Sequence, residues 1–108
     1  MRTQDAVQKL SALSHEARLK LFRRLIQAGD EGMSAGSLAD FAGSAAPTVS
    51  AQLLVLLNAD LVYSQRNGRQ IIYYANYAQM SELMTFMLED CCCGAQDICQ
   101  PLAAVMNS

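Results

Sequence analysis

Only one stretch of this 108-residue chain is built to form paired strands. Leu61 to Arg66 and Gln70 to Ala75 are rich in Val, Tyr and Ile, and they flank Asn67–Gly68. Both residues of that dipeptide tolerate positive φ, which favours a tight turn between antiparallel strands. An isolated hairpin is marginal in water. The rest of the chain must therefore supply the core, and it must do so with helices. With 52% hydrophobic and 17% charged residues there is apolar material for one core, and the length corresponds to a single domain, 1–108.

The helical periodicities fit that demand. Gln4 to Leu13 places Val7, Leu10 and Leu13 at three-residue steps. Ser14 offers a cap for a second helix, His15 to Ala28, whose stripe of Ala17, Leu21, Leu25 and Ala28 is widened by Phe22 and Ile26 and stopped by Gly29. Asp30 to Met33 reads as a turn. Ser34 caps a third helix through about Phe41, and Gly43 breaks it. Helical signals resume at Pro47, a residue tolerated in a first turn, with Ser44 favoured over Ala46 as the cap. Val49, Leu53, Leu56 and Leu57 form its buried face, leaving Thr48, Ser50, Ala51 and Gln52 outward. A last helix runs from about Tyr77 to Asp90, with Met80, Leu83, Met84, Phe86, Met87 and Leu88 as its apolar side.

The resulting order, α-α-α-α-β-β-α, is that of a winged helix-turn-helix: α+β, mostly α. A helix enters a major groove only if its outer residues are small or hydrogen-bonding, as Thr48, Ser50, Ala51 and Gln52 are. The hairpin carries Arg66 and Arg69, suited to phosphates or a narrow minor groove. Taken singly, these are an ordinary polar face and an ordinary solvated turn. Their adjacency and order make the case for double-stranded DNA as a partner.

The net charge of −2 does not announce a nucleic-acid binder, but the charges are unevenly placed. Residues 1 to 30 carry six bases and three acids. No Lys or Arg follows Arg69, while Glu82, Glu89, Asp90 and Asp97 all lie beyond it. An anionic partner is drawn to the early and middle segments and repelled by the tail. No apolar run exceeds the five residues of Leu53 to Leu57, far short of a membrane span, and the N-terminus lacks the apolar stretch of a signal peptide. These features lead us to expect a cytoplasmic protein with no membrane partner.

The stretches LSHEARLKLFRRL, APTVSAQLLVLLNADLV and QRNGRQIIYYA resemble the ArsR/SmtB-type winged-helix metalloregulators, in which the corresponding segments are the second helix, the recognition helix and the wing. The resemblance extends from about residue 4 to residue 99. One departure stands out: many members carry His after the recognition-helix Ser, whereas Ala51 and Gln52 follow Ser50 here. The first and last helices carry apolar stripes too large for a monomer of this size, so they are expected to form the interface of a homodimer. Its two reading heads would sit ~34 Å apart on an inverted repeat.

Four cysteines complete the pattern: Cys91, Cys92, Cys93 and Cys99, with Gly94 allowing the chain to turn back. Zinc-finger spacing is absent, adjacent cysteines bridge poorly, and a structural disulfide is not expected inside a cell. A buried Cys is often just a small apolar residue. Three in a row plus a fourth suit a soft, low-coordinate ion better. As(III) and Sb(III) take three sulfurs in a trigonal pyramid. The arsenic-responsive branch of the resembled family carries a Cys-Cys-x-Gly-type segment and a later Cys, which implies Cys91, Cys92 and Cys99 as ligands within segment 91–99. Cys93 is the alternative, as a set of Cys92, Cys93 and Cys99. Other thiophilic ions such as Cd or Pb, a redox sensor, or a metal-sequestering protein without a DNA role are the competing readings. No base near the cluster in sequence favours an activated thiol. His15, the single histidine, is given no function. No organic cofactor is expected and no catalytic constellation is present, since nothing basic follows Arg69 to cradle an oxyanion near a Cys. The expected function is a repressor that leaves its operator when the metalloid binds.

Overall fold

The computed structural model describes residues 1–88. Its helices are α1 (Thr3–Leu13), α2 (Glu16–Ala28), α3 (Ala35–Ala42), α4 (Ala46–Asn58) and α5 (Tyr77–Leu88). Its strands are β1 (Met33–Ser34), β2 (Val62–Asn67) and β3 (Gln70–Ala75), in one antiparallel sheet of order β1-β3-β2. The expected order of helices and hairpin is present, with one addition. Where the sequence suggests only a turn over Asp30 to Met33, a 3-10 turn at Gly29–Glu31 leads into β1, which pairs Met33 with Tyr73 and Ser34 with Ile72. Two residues leave no alternation to detect, and the partner strand lies some forty positions away in the chain. Gly32 makes that approach feasible, because its φ is +61° and a Cβ there would lie 2.6 Å from the Tyr73 carbonyl oxygen.

The core sits where α2, α3 and α4 meet the base of the hairpin. Leu21, Leu25, Leu38, Val49, Leu53, Leu56, Leu61 and Val62 are fully buried there. At about 1.5–3 kcal/mol for each such side chain, this cluster supplies the driving force that holds α3 and α4 rigidly together. Tyr77 on α5 donates its hydroxyl to the Ile26 carbonyl at 2.9 Å, tying the last helix to α2. In α5, Leu83 is buried, while Met87 is 54% exposed.

The helix ends differ from the sequence reading in two places. Ser34 does cap α3, accepting from the Ser37 N–H at 3.1 Å. Ser14 does not cap α2: its hydroxyl donates to the Ser11 carbonyl at the end of α1, and His15 holds the N-cap position without a side-chain bond. The cap position of α4 falls on Ala45, neither Ser44 nor Ala46, with Pro47 in the first turn. Ser44 is engaged elsewhere, since its N–H closes the end of α3 on the Ala39 carbonyl at 3.2 Å. That closure outranks capping preference.

The inward face of α1 is also displaced. Ala6, Lys9 and Ala12 are buried, while Val7 and Leu10 are 59% and 41% exposed. Small side chains let α1 lie close to its neighbours, and the Lys9 stem lends apolar cover. In the hairpin, Asn67 pairs with Gln70, so the two loop residues are Gly68 and Arg69 rather than Asn67 and Gly68. Only Gly68 has positive φ, at +66°, as a II′ turn requires of its first central residue.

Candidate nucleic-acid interface

Helices α3 and α4 meet at 110° across the three-residue break 43–45. That angle and that turn length are those of a helix-turn-helix pair. Gly43, in the left-handed region at φ 65° and ψ 28°, makes the break feasible, and its N–H returns to the Asp40 carbonyl. With Val49, Leu53 and Leu56 locked in the core, helical geometry forces the opposite side of α4 outward. Thr48, Ser50 and Ala51 are exposed there. None of the three carries bulk or charge that would bar a base edge.

Gln52 is different from the free outward residue that spacing implies. It is half-buried, and its Oε1 accepts from Nη1 of Arg18 at 3.0 Å, while Nε of Arg18 donates to the Ala12 carbonyl at 2.6 Å. Sequence reasoning missed Arg18, which looks like one more base on the solvated side of α2. Nothing local could have singled it out, since its partner on α4 lies 34 residues away.

Beside α4 runs a groove of about 640 Å³ between the first turn of α2, the end of α3 and the start of α4, lined by His15, Lys20, Phe41, Thr48 and Gln52 among others. Lys20 pairs with Glu16 at 3.0 Å, and that bond holds the Glu16 carboxyl below the usual range. The Arg24 guanidinium lies over the Phe41 ring, 5.6 Å from its centroid. His15 is exposed at the rim.

The wing is the β2–β3 hairpin. Tyr63 and Tyr74, opposite one another on β2 and β3, stack with centroids 5.1 Å apart and stiffen it. Arg66 and Arg69 are exposed, and among the described residues neither has a carboxylate within ion-pair distance. Arg69 occupies the tip itself and Arg66 stands opposite Ile71. The structure thus carries a small, neutral, hydrogen-bonding helix face and, separately, two cations on a stiff hairpin.

The four cysteines lie outside the described residues, as do the final two positions expected for the last helix. Among the described residues no cluster of His, Cys, Asp or Glu is arranged to hold a metal ion. No single helix among them is long and apolar enough to cross a membrane.

A family model described as a helix-turn-helix domain matches residues 13–64, from the end of α1 into β2. The chain is 35% identical over 83 residues to the biofilm growth-associated repressor of Xylella fastidiosa, a match spanning 77% of this chain and 70% of that protein. An ArsR-like transcriptional regulator from Rhodococcus sp. RHA1 has the same architecture, with a TM-score of 0.71 at 27% identity over 96% of this chain and 92% of that one. This chain belongs to the ArsR/SmtB family. It is a winged helix-turn-helix transcriptional regulator of that family. The winged-helix fold is shared further by a homodimeric DNA-binding domain from Mycobacterium bovis, TM-score 0.64 at 22% identity over 81% of each chain. In ArsR/SmtB terms α4 is the recognition helix and the β2–β3 hairpin is the wing.

Proposed function

We propose that this ArsR/SmtB regulator is a homodimeric repressor that binds operator DNA and leaves it when As(III) or Sb(III) is taken up by three thiolates. The observation that carries the DNA half of this reading is the exposed Thr48–Ser50–Ala51 face of α4 together with the exposed wing cations Arg66 and Arg69, which have no ion-pair partner among the described residues. The face approaches base edges in a major groove, and the arginines hold the backbone. The repressor named among the relatives and the regulator from Rhodococcus support the same role. The protein has no catalytic step to perform in this account.

Self-association follows from apolar surface that no other described residue covers. Val7 and Leu10 on α1, and Tyr77 and Met87 on α5, are 59%, 41%, 45% and 54% exposed. These helices touch one another within the chain. Burying their stripes against a second copy yields a two-fold dimer, which matches an operator with an inverted repeat. A homodimeric domain of the same fold, the one from Mycobacterium bovis, supports this arrangement.

The metalloid half rests on composition at the chain's end. Cys91, Cys92 and Cys99 are the proposed ligands, with Cys93 as the alternative to Cys91. Three soft sulfurs satisfy a trigonal As(III) or Sb(III) without the fourth donor that zinc takes. The segment follows α5 directly, so ligand binding there acts on a helix of the proposed dimer interface. Release requires the metalloid to favour the DNA-incompetent arrangement, by a coupling of about 1–3 kcal/mol. The test is the set of single Cys→Ser variants, assayed for thiolate-to-As(III) absorbance and for release of DNA. Loss of both together at the three ligand positions is the expected result. Variants that no longer bind As(III) but still release DNA when it is added refute the route.

A further inference from the structure

Arg18 joins two helices that have separate duties in the proposed regulator. Its Nε donates to Ala12 in the last turn of α1, and its Nη1 donates to the side chain of Gln52 on the recognition helix, at 2.6 and 3.0 Å. A guanidinium has five N–H donors and no acceptor, so the orientation of the Gln52 amide is decided by its partner. Oxygen faces Arg18, and the NH2 group is left for the other side. Among the described residues no protein acceptor takes that NH2 group. Gln52 also lines the groove beside α4, one helical turn on from Thr48.

This constraint changes what a glutamine can read. Free glutamine recognises adenine with both ends of its amide, accepting from N6 and donating to N7. That pairing asks oxygen and nitrogen to stand level along the base edge. The Arg18 bond opposes it by drawing the oxygen back toward the junction of α1 and α2. What remains to lead is a donor: guanine offers it two acceptors, O6 and N7, and thymine offers O4, whereas adenine sets its N6 amine, itself a donor, beside its single acceptor N7. The anchor on Ala12 fixes the guanidinium in turn, since a side chain held at two points loses its freedom to follow the glutamine outward.

We propose that Arg18 is a positioning residue for base readout, holding Gln52 so that α4 presents an N–H donor and prefers guanine or thymine to adenine at the base it faces. This rests on the DNA-binding reading above. The assay is selection from a pool of randomised duplexes by the full chain, comparing the wild type with Arg18→Met and Gln52→Glu. The wild type is expected to enrich guanine or thymine at one symmetry-related position in each half-site. Arg18→Met frees the amide and shifts that position toward adenine by about tenfold, leaving the other positions alone. Gln52→Glu keeps a partner for Arg18 but offers only acceptors, so the same position shifts to cytosine, whose N4 donates. Should Arg18→Met fail to fold, Gln52→Glu decides the matter.

A merely structural Arg18 lowers affinity evenly at every position, and that outcome overturns the proposal. So does a position profile identical in wild type and Gln52→Glu. A wild-type protein that enriches no sequence at all refutes the DNA-binding reading, and this inference falls with it. Enrichment by the wild type with unshifted variants removes this inference alone.

Discussion

Replacing Gly32 by alanine strikes the point where β1 is pressed against β3, and the structure sets the size of the effect. Gly32 has φ 61° and ψ −170°, a region open almost solely to glycine, so any side chain there costs about 1–3 kcal/mol in backbone strain. The added Cβ would also meet the Tyr73 carbonyl oxygen at 2.6 Å, with Ile72 Cγ2 and Tyr74 Cε1 each at 2.7 Å. Side-chain atoms can give way, but the carbonyl belongs to a strand held by β2 on its other edge. Crowding of this kind adds about 1–3 kcal/mol. Gly29 provides the matched reference, with φ 61° and ψ −137° and nothing within 4 Å of its would-be Cβ. Gly29→Ala therefore isolates the backbone cost, and Gly32→Ala exceeds it by the crowding cost. Urea denaturation at one fixed protein concentration measures both, with the slopes compared to show that only stability has changed. Equal losses in the two variants, or a greater loss at Gly29, refute the packing argument for β1.

Three further substitutions have defined outcomes. Ser34→Ala removes the bond to the Ser37 N–H and should lower stability by about 1 kcal/mol, most of which Ser34→Asp restores in the same urea titration. Alanine at both Arg66 and Arg69 should flatten the plot of log affinity against log salt by about 0.9 for each phosphate no longer neutralised, while leaving base preference unchanged. Arg2 hydrogen bonds hold the Asp5 carboxyl below its ordinary range. A depressed folded-state pKa contributes stability that is complete above the unfolded value and lost as pH falls through the folded one. Asp5→Asn should thus melt slightly below the wild type at neutral pH and converge on it in acid.

The helical core and the hairpin are legible in the sequence because their signals are local. Leu21 and Leu25 recur at helical spacing, Ser34 precedes its helix, and strand-forming residues flank a turn dipeptide. Each of these is decided within a few residues. Where structure and sequence pattern part, a competing contact from elsewhere wins. Ser44 gives its N–H to the end of α3, so the cap position of α4 passes to Ala45. The turn sits one residue further on because Asn67 pairs with Gln70, a register set along the whole length of β2 and β3. β1 exists only through its pairing with β3, and the Arg18–Gln52 bond spans 34 positions. At the interface, Thr48, Ser50 and Ala51 face outward as their spacing implies, whereas Gln52 is held by a partner no periodicity reveals.

A regulator of the proposed kind holds DNA through α4 and the wing and lets go when three thiolates bind a metalloid. The most direct test is fluorescence anisotropy of the reduced protein on the DNA upstream of its own coding sequence, titrated with arsenite and then with cadmium and zinc. Binding that is reversed by micromolar arsenite and persists in zinc is the predicted result. Binding that ignores arsenite, or that yields equally to zinc, contradicts the three-thiolate switch, and absence of binding contradicts the interface itself.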